Sequence, residues 1–148
     1  MLKLSKKTEY GLLAVQYITL RPEKLVSAKE MSQEMNISFE FLSKTLQKLM
    51  KSGLVKSHQG IKGGYQLAKK PAEISIADII LALDGNPSIV DCVHFDGDIT
   101  CGRSDNCSIK QPMVIIQKKI NHILNDTKIS ELAEMIKKNN INREILDG

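Results

Sequence analysis

Residues 27–67 leave few folds open. Ser27 and Glu30 stand at the Ser-x-x-Glu spacing of a capping box, which marks a helix start. Ala28, Met31 and Met35 follow at helical spacing, and Asn36, which tolerates a left-handed turn, closes the segment. Ser38 can cap a second helix whose buried stripe is Leu42, Leu46 and Leu49. Gly53 ends that helix. Short strands are expected at 54–56 and 65–67, around the hairpin tip His58-Gln59-Gly60-Ile61-Lys62-Gly63-Gly64. Helix, turn, helix and basic hairpin together predict a winged helix-turn-helix. The expected class is mostly α, with a small β-hairpin wing.

The second helix of this unit has an outward face of Glu40, Ser43, Lys44, Gln47, Lys48 and Lys51. Long polar arms of mostly positive charge suit a helix lying in a major groove. Glycines at the hairpin tip let a backbone approach a phosphate or a minor groove closely. The candidate DNA-binding residues are Ser38, Glu40, Ser43, Lys44, Gln47 and Lys48 on the helix. On the wing they are His58, Gln59, Lys62, Gly63, Gly64 and Tyr65. Charge agrees: residues 1–70 hold 13 Lys+Arg against 5 Asp+Glu, net +8, whereas residues 71–148 hold 8 against 12, net −4. Only the first half looks built for a polyanion.

A first helix is expected over about 6–20, after Ser5, with Tyr10, Leu13, Ala14, Tyr17 and Ile18 on one face and Arg21-Pro22 as its stop. Ser75 and Asp78 form another capping box, before Ile76, Ile79, Ile80 and Leu83. The longest helix should start near Pro112 and carry Ile109, Met113, Ile116, Ile120 and Ile123 at spacings of 4, 3, 4 and 3. That narrow heptad stripe points to a dimerisation helix, with packing on its own domain as the plainer alternative. A last short helix is expected from Thr127 to Ile136, and then a polar tail that frays. The expected organisation is a winged domain at 1–83, a cysteine-bearing loop at 84–108, dimerisation and terminal helices at 109–136 and a tail at 137–148. No run of about 18 apolar residues is present and no signal peptide is legible, so a cytoplasmic protein that does not enter the membrane is expected.

The three cysteines, Cys92, Cys101 and Cys107, lie in one aperiodic stretch, as Cys-x8-Cys-x5-Cys. An odd number of thiols in a cytosolic chain argues against a disulfide framework and for soft metal ligands. Structural zinc sites show closer Cys pairs, so the wide spacing leans toward an iron–sulfur cluster, with zinc and no metal left open. A Cys92/His94 enzyme is disfavoured, because no orienting third group or oxyanion motif accompanies the pair.

Several motifs resemble the IscR and NsrR type of winged-helix iron–sulfur regulators, the Rrf-two family. They are Leu4-Ser5-Lys6 with Tyr10 and Ala14; Ile37-Ser38 with Phe41-Leu42; Lys51-Ser52-Gly53-Leu54-Val55; Gly63-Gly64-Tyr65-Gln66-Leu67-Ala68; and Ile74-Ser75-Ile76-Ala77-Asp78-Ile79-Ile80. The resemblance spans about 1–134. It implies a homodimeric transcription regulator on operator DNA, with a four-iron or two-iron cluster on Cys92, Cys101 and Cys107. Three departures accompany it. The first cysteine gap is eight residues, where relatives often have five. The position of the IscR-type histidine ligand holds Lys110. The wing position that often carries an arginine holds Gln59. NsrR-type relatives use a carboxylate of the partner subunit near the start of the first helix, and the matching residue is Glu9. His94, with Asp91 and Asp105, is a local rival for that fourth position.

Overall fold

The computed structural model describes residues 3–96, 98–100, 102 and 106–147, the last seven as backbone. Helix α1 (Lys6–Thr19) starts where Ser5 Oγ accepts the Thr8 N–H at 3.1 Å. Its inner face buries Ala14, Val15 and Ile18. At Gly11 it crosses so close to the next-but-two helix that a Cβ would stand 2.2 Å from Leu83 Cδ1.

Helix α2 (Ala28–Met35) is capped by Ser27, whose Oγ accepts the Glu30 N–H at 3.0 Å. The expected capping box forms only by this half. The Glu30 carboxylate turns away to accept from Lys24 Nζ at 2.6 Å and Tyr17 Oη at 3.2 Å. These bonds, Lys24's above all, hold its carboxyl below the ordinary range despite partial desolvation. Asn36 takes the left-handed conformation, at φ 52° and ψ 47°, as its residue type suggested.

Helix α3 (Phe39–Lys51) buries Leu42, Leu46 and Leu49 completely. Each such side chain contributes about 1.5–3 kcal/mol, so the stripe commits the helix to one rotation. Gly53, at φ 72°, reverses the chain beyond Lys51 and Ser52. Strands β1 (Val55–His58) and β2 (Gly64–Leu67) pair antiparallel, with Val55 opposite Leu67 and His58 opposite Gly64. Both extend further toward the tip than the residues suggested. A third contributor was not foreseen: Val26 exchanges both backbone bonds with Tyr65, at 2.8 and 3.1 Å.

A 3-10 turn at Pro71–Glu73 leads to α4 (Ile76–Leu83), where the capping box of Ser75 and Asp78 is complete in both directions. Helices α5 (Lys110–Asp126) and α6 (Ile129–Asp147) follow. Ile109 is the N-cap of α5 and not part of its first turn, while Pro112 does fall in that turn. The last helix is longer than the expected Thr127 to Ile136. α6 continues as one helix to Asp147, with Gly148 outside the described residues. Its first turns are anchored, since Ile129 and Ala133 are buried and Ile129 N–H donates to Ile74 O at 2.9 Å. Once a helix is nucleated, each further residue adds at little cost. One core results, made by α1, α2, α3, α4, the hairpin and the start of α6.

Candidate nucleic-acid interface and cysteine loop

Opposite its buried stripe, α3 exposes Glu40, Lys44, Gln47, Lys48 and Lys51, with Ser43 half-buried. Ser38 is also exposed, its Oγ held toward the Phe41 N–H at 3.5 Å. Glu40 and Lys44 pair at 2.8 Å one turn apart, and the Lys44 hydrogen bond keeps the Glu40 carboxyl below its usual range. An exposed pair of this kind is weak, so Lys44 can exchange its carboxylate for a phosphate at little cost. Phe39 is 55% exposed in the first turn of α3, beside these polar residues.

The wing is fastened to this helix. Ser57 Oγ donates to Met50 Sδ at 3.3 Å, and the Val26–Tyr65 bridge ties the opposite strand to the start of α2. The glycine pair has separate reasons. A Cβ on Gly63 would meet His58 O at 2.2 Å, and one on Gly64 would lie 2.8 Å from Val26 backbone atoms. His58 Nε2 is bonded to Gln66 Nε2 across the hairpin, whereas Gln59 and Lys62 are exposed. A groove runs between wing and α3, lined by Gln47, His58, Gln59, Gly63, Gly64 and Tyr65, with Lys29, Phe39 and Met50 added. The groove brings Gln47 together with His58, Gln59, Gly63, Gly64 and Tyr65, whereas Ser38, Glu40, Ser43, Lys44, Lys48 and Lys62 lie outside its lining. Lys29, at the start of α2, escaped the sequence reading, because it lies outside both motifs.

The cysteine loop is more ordered than its composition suggested. Val93 is 1% exposed and bridges both Val90 and Ile99. His94 N–H donates to Asp98 O at 2.9 Å, and Thr100 N–H to Cys92 O at 3.1 Å. A small hairpin thus returns the chain to Cys92 one residue before Cys101. Cys101 itself and Asp105 lie outside the described residues. Cys92 and Cys107 are half-buried, and the Cys107 carbonyl accepts from Lys110 N–H at 3.3 Å as α5 begins. Among the described residues no three His, Cys, Asp or Glu side chains gather as a metal site. Both ring nitrogens of His94 are engaged, Nδ1 by Asn86 Nδ2 at 3.1 Å and Nε2 by Thr100 Oγ1 at 2.8 Å. Glu9 lies on the exposed start of α1, paired with Lys6 at 2.6 Å.

Sequence reasoning missed what holds this loop. Gln117 is the buried residue of α5. Its Oε1 accepts the Ile89 N–H at 2.8 Å, and its Nε2 donates to Pro87 O at 3.1 Å and Asn121 Oδ1 at 2.7 Å. Asn121 Nδ2 donates to Phe95 O at 2.6 Å, and Phe95 N–H to Asn86 Oδ1 at 2.8 Å. Two amides four residues apart, flanking an isoleucine stripe, were the available signal. The stripe itself divides. Ile109, Ile116 and Ile123 are 58%, 41% and 63% exposed, whereas Met113 and Ile120 are half-buried.

Residues 4–135 match the family described as "Rrf2: Iron-dependent Transcriptional regulator". The chain belongs to the Rrf2 family. Its members are transcriptional regulators, and this one is not an enzyme. The chain is 34% identical over 110 residues to the HTH-type transcriptional regulator NsrR of Halalkalibacterium halodurans, covering 74% of this chain and 75% of that one. To the HTH-type transcriptional regulator IscR of Vibrio atlanticus it is 30% identical over 134 residues, covering 90% and 76%. Among solved structures it resembles CymR, the global cysteine regulator of B. subtilis, at a TM-score of 0.77 and 29% identity, covering 91% of this chain and 98% of that one. The winged-helix class expected from the residues is the fold observed. No helix among the described residues is long and apolar enough to cross a membrane.

Proposed function

We propose that this Rrf2 regulator binds operator DNA as a homodimer and that an iron–sulfur cluster on its cysteine loop sets its affinity. The observation that supports DNA reading is the shared concave face of α3 and the wing. Gln47 would read a base edge, as glutamine does with adenine. Lys44, Lys48 and Lys62 supply phosphate contacts, and Gly63 and Gly64 let the wing backbone come close. Two copies joined along α5 would present two such faces to two half-sites. An exposed row of Ile109, Ile116 and Ile123 on a helix that buries mainly a glutamine supports that pairing.

The donor set fits a cluster in its chemistry. Three thiols share one loop, and soft thiolates are the ligands that iron–sulfur clusters take. The bond from Thr100 N–H to Cys92 O folds back the stretch that follows the first cysteine. Cys92, Cys101 and Cys107 would hold the cluster, leaving a fourth position. His94 is engaged on both ring nitrogens and Glu9 on one oxygen by Lys6, so either would have to release a partner; the resemblance to NsrR-type regulators favours Glu9 of the partner subunit. Bound there, a cluster would supply a redox- and nitric oxide-reactive centre whose loss changes the loop. This chain's part is to transmit that change: Gln117 and Asn121 couple the loop backbone to α5, and α5 is the joint between the two reading heads. The change would act as a ligand biasing two placements of those heads.

The likeness to CymR, whose description names cysteine and not iron, favours one second reading. In it the same DNA-binding body is a metal-free or zinc-bound regulator answering another signal. Visible absorption of anaerobically purified protein separates the two. A brown protein absorbing near ~400 nm, with iron and acid-labile sulfide, is the expected result. Colourless protein without iron would overturn the cluster reading and leave the DNA reading standing.

A further inference from the structure

Ile61 is 107% exposed, more than any other large apolar side chain described, and it stands at the tip of the wing. Single exposed apolar residues are ordinary on a protein surface. This one differs in how it is presented. Gly63 N–H donates to Gly60 O at 3.0 Å, closing a turn with Ile61 and Lys62 as its two central residues. Gly60, at φ 120°, precedes it and has nothing within 4 Å of its Cβ position, so the tip is slender. The hairpin behind the turn is held by Ser57 to Met50 of α3 and by Tyr65 to Val26. A β-branched side chain with few rotamers is thereby aimed outward on a fixed arm, beside a lysine.

The tip carries one lysine, Lys62, and no arginine. Arg21 is the sole arginine in residues 1–102, and it is occupied. Its guanidinium stacks 3.5 Å from the Tyr17 ring and donates to Tyr17 O at 3.2 Å. His58 is turned across the hairpin to Gln66. With α3 in a major groove, the fastened wing extends over the neighbouring minor groove, where apolar side chains serve as wedges between base steps.

We infer that Ile61 is a specificity-determining residue that inserts as an apolar wedge into the minor groove beside each half-site, with Lys62 on the adjoining phosphate. This rests on the DNA reading above. A wedge gains most at a step that unstacks readily, so the contact selects flexible pyrimidine–purine steps through deformability and not through base hydrogen bonds.

The test starts from duplexes selected from a random pool by the full-length protein, with 2-aminopurine placed in turn along the flanks of the best one. Ile61→Ala and Ile61→Ser should each bind about ten-fold more weakly, with the salt dependence of binding unchanged. Lys62→Ala should instead lower the salt slope by about one. One flanking 2-aminopurine should brighten when parent protein or Ile61→Leu binds and stay dim with Ile61→Ala. The side chain touches nothing within the fold, so loss of folding does not confuse the comparison. Equal affinity of Ile61→Ala and parent, or no brightening at any position, would overturn the wedge while DNA binding persists. A weakened Ile61→Ala with a reduced salt slope would overturn it too, because the loss would then be one of charge. Failure of the selection to return any bound duplex would sink the DNA reading and this inference with it.

Discussion

Asp84 ties two helices together through one carboxylate. Its Oδ1 accepts from Ser5 Oγ and its Oδ2 from Thr8 Oγ1, both at 2.6 Å, with Lys7 Nζ at 3.6 Å. Burial alone would raise its carboxyl, but the two hydroxyls and the lysine outweigh that and hold it below its ordinary value of 3.8. A depressed acid stabilises the fold above its unfolded pKa, and that contribution is lost as pH falls through the lower, folded one. Asp84→Asn should therefore cost about 1–2 kcal/mol in urea unfolding at neutral pH. The gap to the parent should narrow only as pH drops from about 3.8 downward. Gln117→Leu removes the loop's amide partners in a similar way. It should leave the Ile89 N–H unpaired and cost about 1–3 kcal/mol, with faster amide exchange at Ile89 and Phe95 as the readout. Neither role was legible beforehand. Asp84 follows the predicted fourth helix outside any motif, and Gln117 lies outside the heptad stripe of Ile109, Met113, Ile116, Ile120 and Ile123. A side chain's partner 28 or more residues away is set by packing, which no local spacing encodes.

At the scale of elements the residues spoke more plainly. Leu42, Leu46 and Leu49 could be buried together only by a helix, and Asn36 and Gly53 marked where the chain had to reverse. The wing was legible from its glycines, although their reasons differ: Gly63 faces backbone within the turn, and Gly64 faces Val26. Gly64→Ala should force that bridge apart and lower stability by about 1–3 kcal/mol, measured by thermal unfolding. The reading face makes a sharper demand. Replacing Lys44, Gln47 and Lys48 together with alanine should abolish binding to the selected duplex while circular dichroism stays that of the parent. Alanine at Lys48 alone should reduce the salt slope by about one, whereas alanine at Gln47 should relax sequence preference. Unchanged binding by the triple variant would remove α3 from the interface. The last helix was expected to end at Ile136, and it runs on to Asp147, because polarity does not decide whether an anchored helix continues.

For the whole molecule, residues 1–70 carry a net charge of +8 and are proposed to read DNA, while the cysteine loop and α5 are proposed to sense and to dimerise. The joint is α5. Lysine at both Ile116 and Ile120 should place charge in the proposed seam and yield monomer in sedimentation velocity, with weaker operator binding because two half-sites no longer engage as one unit. An intact dimer would move the interface elsewhere. Glu9→Ala should hasten cluster loss with dimer and fold intact, whereas His94→Ala should loosen the loop hairpin through Asn86 and Thr100. The claim that binds these parts is that the state of the cysteine loop governs DNA affinity. It is tested most directly by fluorescence anisotropy on the selected duplex, comparing anaerobically purified protein with the same preparation after chelation of its iron. The affinities should differ by roughly five-fold or more, the scale of a working allosteric coupling, and a Cys92→Ala/Cys101→Ala/Cys107→Ala variant should match the chelated protein. Identical affinity in all three preparations would contradict the claim and leave a DNA-binding regulator whose signal lies elsewhere.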